Sequence, residues 1–259
     1  MIFVTSAEDA LVVALQPDHA ATAGQVARAW RPPAFLSDPN RDRLIEATTR
    51  HDDGWNETER MPVLDPDGQP LDFLNIPTVK HIETWRRSVE LAKEDPYVGL
   101  LVAAHARWLY TRHGDGETPQ EQAAAQRFIE YLDTRMNTWI DALRQGGRDE
   151  TSAVEPRHLE KTRRLVSLFD ALSLTLLGAF SPDALKRTEP VAFGDEQAPL
   201  RITLDERGAT VRPWPFREPM VHLSTRALQL NRSHFDNADQ WRQTLASAAP
   251  YTLSWVLHP

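Results

Sequence analysis

The stretch His51-Asp52-Asp53-Gly54-Trp55 combines groups that bind cations, move protons and wall pockets, and it follows directly on a helical run. Between Arg41 and Arg50, Leu44, Ala47 and Thr48 recur at steps of three and four, and His51 falls on the same face. Gly54 is expected to stop that helix in the left-handed conformation open to glycine. Acidic and ionisable groups then crowd a helix C-terminus, where the macrodipole disfavours carboxylates by about 0.3–1 kcal/mol. A positive partner is required, either a metal cation or an arginine from elsewhere. Three more histidines, His19, His81 and His105, lie on the apolar faces of separate helical segments. Asp170 stands in residues 165–174, the most apolar stretch of the chain. An isolated carboxylate there would cost several kcal/mol unless paired or protonated. Arg163 or Arg164 could pair with it, but a metal would also account for the histidines. With no cysteine in the chain, ligands are nitrogen and oxygen only, which suits Mn, Fe, Zn, Co or Ni. One ion would act as a Lewis acid and lower the pKa of bound water; two would clamp a phosphoryl group.

The elements that must position these residues can be read in order. Residues 2–15 form a β-hairpin around a polar turn at 6–9. A helix over 19–30 places His19, Ala23, Val26 and Trp30 on one face and ends at Pro32-Pro33. Residues 56–77, rich in proline, read as a long loop of the kind that wraps a site. A helix over 77–93 carries His81, Trp85 and Val89. Asp95-Pro96 then caps another, reaching 113, with Leu101, His105, Trp108 and Leu109 together. Thr118-Pro119-Gln120-Glu121 is a capping box opening an amphipathic helix with Phe128, Leu132, Trp139 and Leu143 inward. Residues 145–156 read as an exposed loop, and 157–180 as a central helix. From Pro190 the pattern turns to strands, with a short helix over 236–246 capped by Asp236 and an alternating final strand over 251–258. A lone hairpin is marginal in water, so the N-terminal hairpin is expected to join the C-terminal strands in one antiparallel sheet. The fold class is therefore α+β: a single domain, 1–259, with a hairpin (1–15), a helical core (16–185) and a β-rich part (186–259) packed on it.

At 259 residues, 41% hydrophobic and 25% charged, the chain is ordinary for a globular protein able to bury a substantial core. A net charge of −8 argues against a general nucleic-acid or anionic-membrane partner. No basic start with a long apolar run marks a secretory leader, and no stretch approaches the roughly 20 apolar residues of a membrane span. The expected location is cytoplasmic; homo-oligomerisation is left open.

Taken in order, His19, His51-Asp52, His81, His105 and Asp170 resemble the HD-domain superfamily of metal-dependent enzymes. "LIEATTRHDDGW" resembles its apolar helix ending in His-Asp-x-Gly, and "LVSLFDALSLTL" its final aspartate helix. "QPDHAATAGQVARAW", "HDDGW" and "PWPF" are similar to a bacterial and archaeal domain family of unknown function and similar length. The HD resemblance implies an HD-like helical core in which His19, His51, Asp52 and Asp170 hold the principal metal. His81 and His105 would then serve a second. It implies a hydrolase of small anionic phosphate esters or nucleotides, with Asp52 and Asp53 in the catalytic apparatus, although Asp53 could equally cap its turn. Trp55, Arg86 and Arg163 are the substrate-binding candidates, since guanidinium forks suit phosphate oxygens. Pro213-Trp214-Pro215-Phe216 reads as rigid packing beside the sheet, or as a lid or dimer contact. Two other readings stand beside the hydrolase: an HD-type di-iron oxygenase using all six ligands, and a non-catalytic binding protein that keeps the fold. Convergence of the histidines, or an arginine on Asp170, separates the last from the first two.

Overall fold

A computed structural model describes residues 1–5, 11–113, 116, 118–183, 191–193, 196–198, 200–206 and 208–259. Strands β1 (Ile2–Thr5) and β2 (Leu11–Ala14) pair antiparallel, with Ile2 opposite Ala14; the turn expected at 6–9 lies outside the described residues. Nine helices follow before the next strand among the described residues: α1 (Gln16–Ala29), α2 (Pro33–Leu36), α3 (Arg41–Arg50), α4 (Trp55–Arg60), α5 (Thr78–Leu91), α6 (Pro96–His113), α7 (Pro119–Arg144), α8 (Arg148–Ala153) and α9 (Pro156–Leu176). The chain ends with β3 (Val191–Phe193), β4 (Glu196–Ala198), β5 (Arg201–Asp205), β6 (Gly208–Arg212), β7 (Val221–Leu230), α10 (Ala238–Ser247) and β8 (Ala249–His258).

The expected union of both chain ends is present as a six-stranded sheet of order β1-β2-β7-β8-β6-β5, with β3-β4 as a separate pair. It is mixed rather than wholly antiparallel. The β5–β6 hairpin is followed by β7 one strand position away, and β8 returns between β6 and β7. A strand inserted between two antiparallel strands must run parallel to one of them, here β6.

Four helices, α1, α3, α6 and α9, pack in a closed ring of neighbours: α1 on α3, α3 on α6, α6 on α9 and α9 on α1. Proline sits in the first turn of α1, where its missing N–H leaves no intrahelical bond unmade. Gln25 clamps α1 to the sheet, accepting from the Ser224 backbone N–H at 3.1 Å and donating to the Ser224 carbonyl at 2.8 Å. Asp95 caps α6 by accepting from the Tyr97 and Val98 backbone N–H groups. The Arg43 guanidinium grips the same carboxylate and so locks α3 to α6. The Thr118–Glu121 capping box forms as expected at the start of α7. Helix α5 stands outside the ring, against α4, α6 and α7.

Several boundaries differ from the sequence reading. Residues 145–156 contain α8, because Glu150 accepts from the Gly147 N–H and Ala153 and Val154 are buried. The loop over 56–77 begins only after α4. Helix α9 ends at Leu176, where Gly178 turns to φ +77° and the Ala179 N–H bonds back to Leu174. Asn237, not Asp236, caps α10, since its side chain reaches the Gln240 N–H. Gly54 is not left-handed: it has φ −62° and ψ −23°, and leads straight into α4. Glycine is required there by contact. A Cβ would lie 2.2 Å from the Thr84 carbonyl oxygen and 2.5 Å from the Ser88 nitrogen of α5. Gly54→Ala should therefore cost about 1–3 kcal/mol, read by urea unfolding, because the obstruction is rigid backbone. A glycine serving only as a left-handed cap would instead accept asparagine, and Gly54→Asn should be the worse variant here.

Candidate metal centre

Each helix of the ring delivers one part of the site. His19 comes from α1, His51 and Asp52 from the end of α3, His105 from α6 and Asp170 from α9, and all five side chains are buried. The adjacent pair can converge because the backbone leaves α3 through a tight turn, with the Trp55 N–H bonded to the Asp52 carbonyl at 2.9 Å. His19 Nε2 lies 3.3 Å from Asp52 Oδ2 and 3.2 Å from Asp170 Oδ1. His51 Nε2 lies 3.4 Å and 3.5 Å from the same two oxygens. His105 Nε2 lies 3.3 Å from Asp170 Oδ2. The rings of His19 and His105 each stand nearly perpendicular to that of His51, at centroid separations of 5.4 Å.

These spacings exceed the roughly 2.7–2.9 Å of a good charged hydrogen bond. They match donor atoms arranged around one shared point at about 2 Å each. The far sides of the rings support the same arrangement. His51 Nδ1 must donate to the Thr48 carbonyl, 2.7 Å away. His19 Nδ1 lies 2.6 Å from Ser173 Oγ, whose own hydroxyl donates to the Asp170 backbone carbonyl at 2.9 Å; the serine therefore accepts from the ring. Both imidazoles thus present an unprotonated Nε2 to the centre when neutral, the tautomer that a metal requires. His105 Nδ1 rests on Ser167 Oγ at 3.0 Å, and its buried Nε2 has no hydrogen-bond partner. An orphaned ring nitrogen beside a carboxylate is costly unless a cation completes it. The donor set therefore fits a divalent metal.

Electrostatics point the same way. For His51, burial works against the charged form, but Asp52 and Asp170 overcome it and push the imidazole up to about 9. His19 is also raised, its burial outweighed by Asp170 and Asp52. Burial opposes ionisation of Asp170, yet the imidazoles of His105, His19 and His51 facing it hold it well below the usual carboxylate range. His105 is lowered by burial. Two buried carboxylates thus favour positive charge at this point, whether from a cation or from a proton on the neighbouring imidazoles.

The centre opens onto a cavity of about 960 Å³, walled by Trp55, Trp85, Trp108, Tyr110, Phe73 and Phe180. Trp55 is where the sequence reading put it. Three other candidates are elsewhere. Asp53 turns away from the cavity and pairs with Arg50 Nε at 3.0 Å, an arginine of its own helix end and not one from elsewhere in the chain. Arg86 is stacked on Tyr131, 4.1 Å from the ring centroid, and packs α5 on α7. Arg163 is buried against Glu160 and donates to Ser167 Oγ at 3.3 Å, so it braces the serine behind His105 rather than lining the cavity. His81 lines the cavity but does not join the donor cluster, because α5 lies outside the helix ring. Its Nδ1 meets the Tyr110 hydroxyl at 2.6 Å and its Nε2 meets Trp85 Nε1 at 3.3 Å. Phe216 packs edge-on against Trp30 at 5.7 Å, which is the packing role for Pro213–Phe216.

Sequence reasoning did not single out Ser167, Ser173, Thr48, Gln16, Tyr110 or Arg112. Ser167, Asp170 and Ser173 share one face of an apolar helix at steps of three, a signal that was available. Gln16, Tyr110 and Arg112 line the cavity, and the Gln16 Oε1 is buried without a partner. Nothing in the local sequence marks them.

Burial lowers His81 to about 4 from the ordinary 6.5, against a smaller opposing effect of Asp52. Between those values the unfolded chain binds a proton that the folded protein refuses, so this group's contribution to stability falls as pH drops from 6.5 toward 4. His81→Gln should show a shallower loss over that window, measured by urea unfolding at fixed pH steps.

No helix among the described residues is long and apolar enough to cross a membrane. Searches of curated proteins and of solved structures find no match to the chain. A family described as "Protein of unknown function (DUF3891)" matches residues 1–232, nearly the whole length, and the chain belongs to that family.

Proposed function

We propose that the chain is a metal-dependent hydrolase of HD type, acting on a phosphate ester of a small molecule such as a nucleotide. The observation that carries this is the convergence of buried donors beside an open cavity, in two groups of three that share His51. The HD likeness rests on residue order and on that convergence; the family match adds nothing to it. Two groups of three donors, His19-His51-Asp52 and His51-His105-Asp170, share the Nε2 of His51. A ring nitrogen has one lone pair to give, so His51 can serve only one ion, and we read the two groups as one site. The di-iron reading needs His81, and both of its ring nitrogens are already engaged by Tyr110 and Trp85. The non-catalytic reading expected an arginine on Asp170, whose partners are instead His19, His51 and His105.

His19, His51, His105, Asp52 and Asp170 would hold the cation. Bound there, a divalent transition metal supplies Lewis acidity toward a phosphoryl oxygen and activates water. The protein's share is positional. Thr48, Ser173 and Ser167 fix the imidazole planes, and the aromatic walls exclude bulk water from the reacting end. Arg112, on the cavity wall and 5.4 Å above Trp108, takes the anion-binding role first given to Arg86 and Arg163. At about 960 Å³ the cavity has room for an organic group well beyond a bare phosphate.

Protein purified without chelator should carry about one equivalent of transition metal by elemental analysis and release phosphate from small phosphate esters. Metal-free protein that cannot be reloaded would overturn the reading. His51→Ala and Asp170→Ala should each abolish metal loading while circular dichroism keeps the helical signal. Asp53→Asn should load metal and turn over within about twofold of wild type, since its carboxylate faces Arg50 and not the donor cluster or the cavity.

A further inference from the structure

Helix α5 carries a hydrogen-bond chain that the metal centre does not use. Trp85 Nε1 can only donate, and it lies 3.3 Å from His81 Nε2, one turn earlier on the same helix. That nitrogen therefore accepts. A neutral imidazole that accepts at Nε2 carries its proton on Nδ1, and Nδ1 lies 2.6 Å from the Tyr110 hydroxyl oxygen. The tyrosine oxygen is thus the acceptor of this bond, and its own hydrogen must point elsewhere. The reverse assignment, tyrosine donating to His81, would set two N–H groups against each other between His81 and Trp85.

Tyr110 lines the cavity, and the residue is 5% exposed. Its ring is held edge-on against Phe128 at 4.8 Å, so the hydroxyl has a fixed position. Among the described residues its only hydrogen-bond partner is His81. A buried hydroxyl with an undelivered proton costs free energy unless an incoming group accepts it.

We infer that Tyr110 is a substrate-binding residue, donating its hydroxyl hydrogen to an anionic or strongly polar oxygen of the bound ester, and that His81 is its positioning residue. His81 is then present in this site as the orienter of a donor rather than as a ligand. Two further properties agree with this. Burial raises the Tyr110 phenol above its usual range, so it remains a donor at neutral pH. Burial also keeps His81 neutral there, which the relay requires. The ligand class rests on the phosphate-ester reading above; the direction of the relay does not.

The relay is tested without ligand by nitrogen-15 NMR of wild-type protein at pH 7. His81 should appear as the Nδ1–H tautomer, and an Nε2–H tautomer would overturn the inference whatever the protein binds. The ligand is tested by calorimetry of manganese-loaded protein with 4-nitrobenzylphosphonate, an ester mimic that cannot be hydrolysed. Tyr110→Phe keeps the ring against Phe128 and should load metal normally but bind the phosphonate about tenfold more weakly. An unchanged affinity in that variant would overturn the role of Tyr110 alone. Wild-type protein that loads metal yet ignores the phosphonate would overturn the phosphate-ester reading, and with it the ligand assigned to Tyr110.

Discussion

Asp52 and Asp170 are two carboxylates buried at one point between four helices, and each must be neutralised where it lies. Desolvating even one such group costs several kcal/mol, and two close together repel as well. The helix ring answers this by directing three imidazoles at the pair, from α1, α6 and the end of α3 beside Asp52 itself. That is why α1, α3, α6 and α9 have to close on one another rather than stack as an open layer. The same arrangement explains the otherwise polar features of their inner faces. Ser167 and Ser173 lie in an apolar helix because rings from α6 and α1 end against them. Without a metal, the two carboxylates raise the proton affinity of His51 and His19. Cation binding and proton release are consequently opposite sides of one balance at this point.

Rigidity around the centre comes from contacts that never touch it. Arg43 on Asp95 holds α3 to α6, Gln25 holds α1 to β7, and Arg163 braces Ser167 from behind. The first two join elements distant in sequence, the third acts within α9, and each removes freedom from a helix that carries part of the donor cluster. The sheet's part is indirect. By joining the first strands to the last, it fixes the start of α1, and so the depth of His19.

Much of this was legible in the residues. The apolar periodicities of α1, α3, α6 and α9 put His19, His51, His105 and Asp170 on inward faces, and an aspartate amid leucines and phenylalanine can only be explained by a partner. What periodicity could not supply was which helices are neighbours. His81 has the same inward pattern as His105, but α5 packs outside the ring, and that choice is made by tertiary contacts. Arg86 and Arg163 look alike as helix arginines; one stacks on Tyr131 and the other braces a serine. The parallel β6–β8 pair was equally invisible, because strand order depends on where β8 inserts and not on its own alternation. Gly54 was read correctly as a position that needs glycine, for a reason that was wrong: the constraint is a neighbouring backbone and not its own φ.

That close approach links the opening pentad to the cavity. With no side chain at Gly54, its N–H reaches Ser88 Oγ at 3.0 Å and the α3–α4 turn rests directly on α5. Trp85, one turn before Ser88, consequently lies parallel to the His51 ring at 6.3 Å and edge-on to His105 at 5.7 Å. The same indole, through its N–H, fixes the proton of His81 and so the direction of the Tyr110 hydroxyl. Helix α5 therefore contributes no donor to the cation site and yet borders it. Trp85 covers two of its imidazoles on one side and orients the cavity's hydrogen-bond donor on the other. Moving α5 by the width of one methyl group at position 54 would disturb both together, so the donor cluster and the Tyr110 hydroxyl are set by a single packing surface.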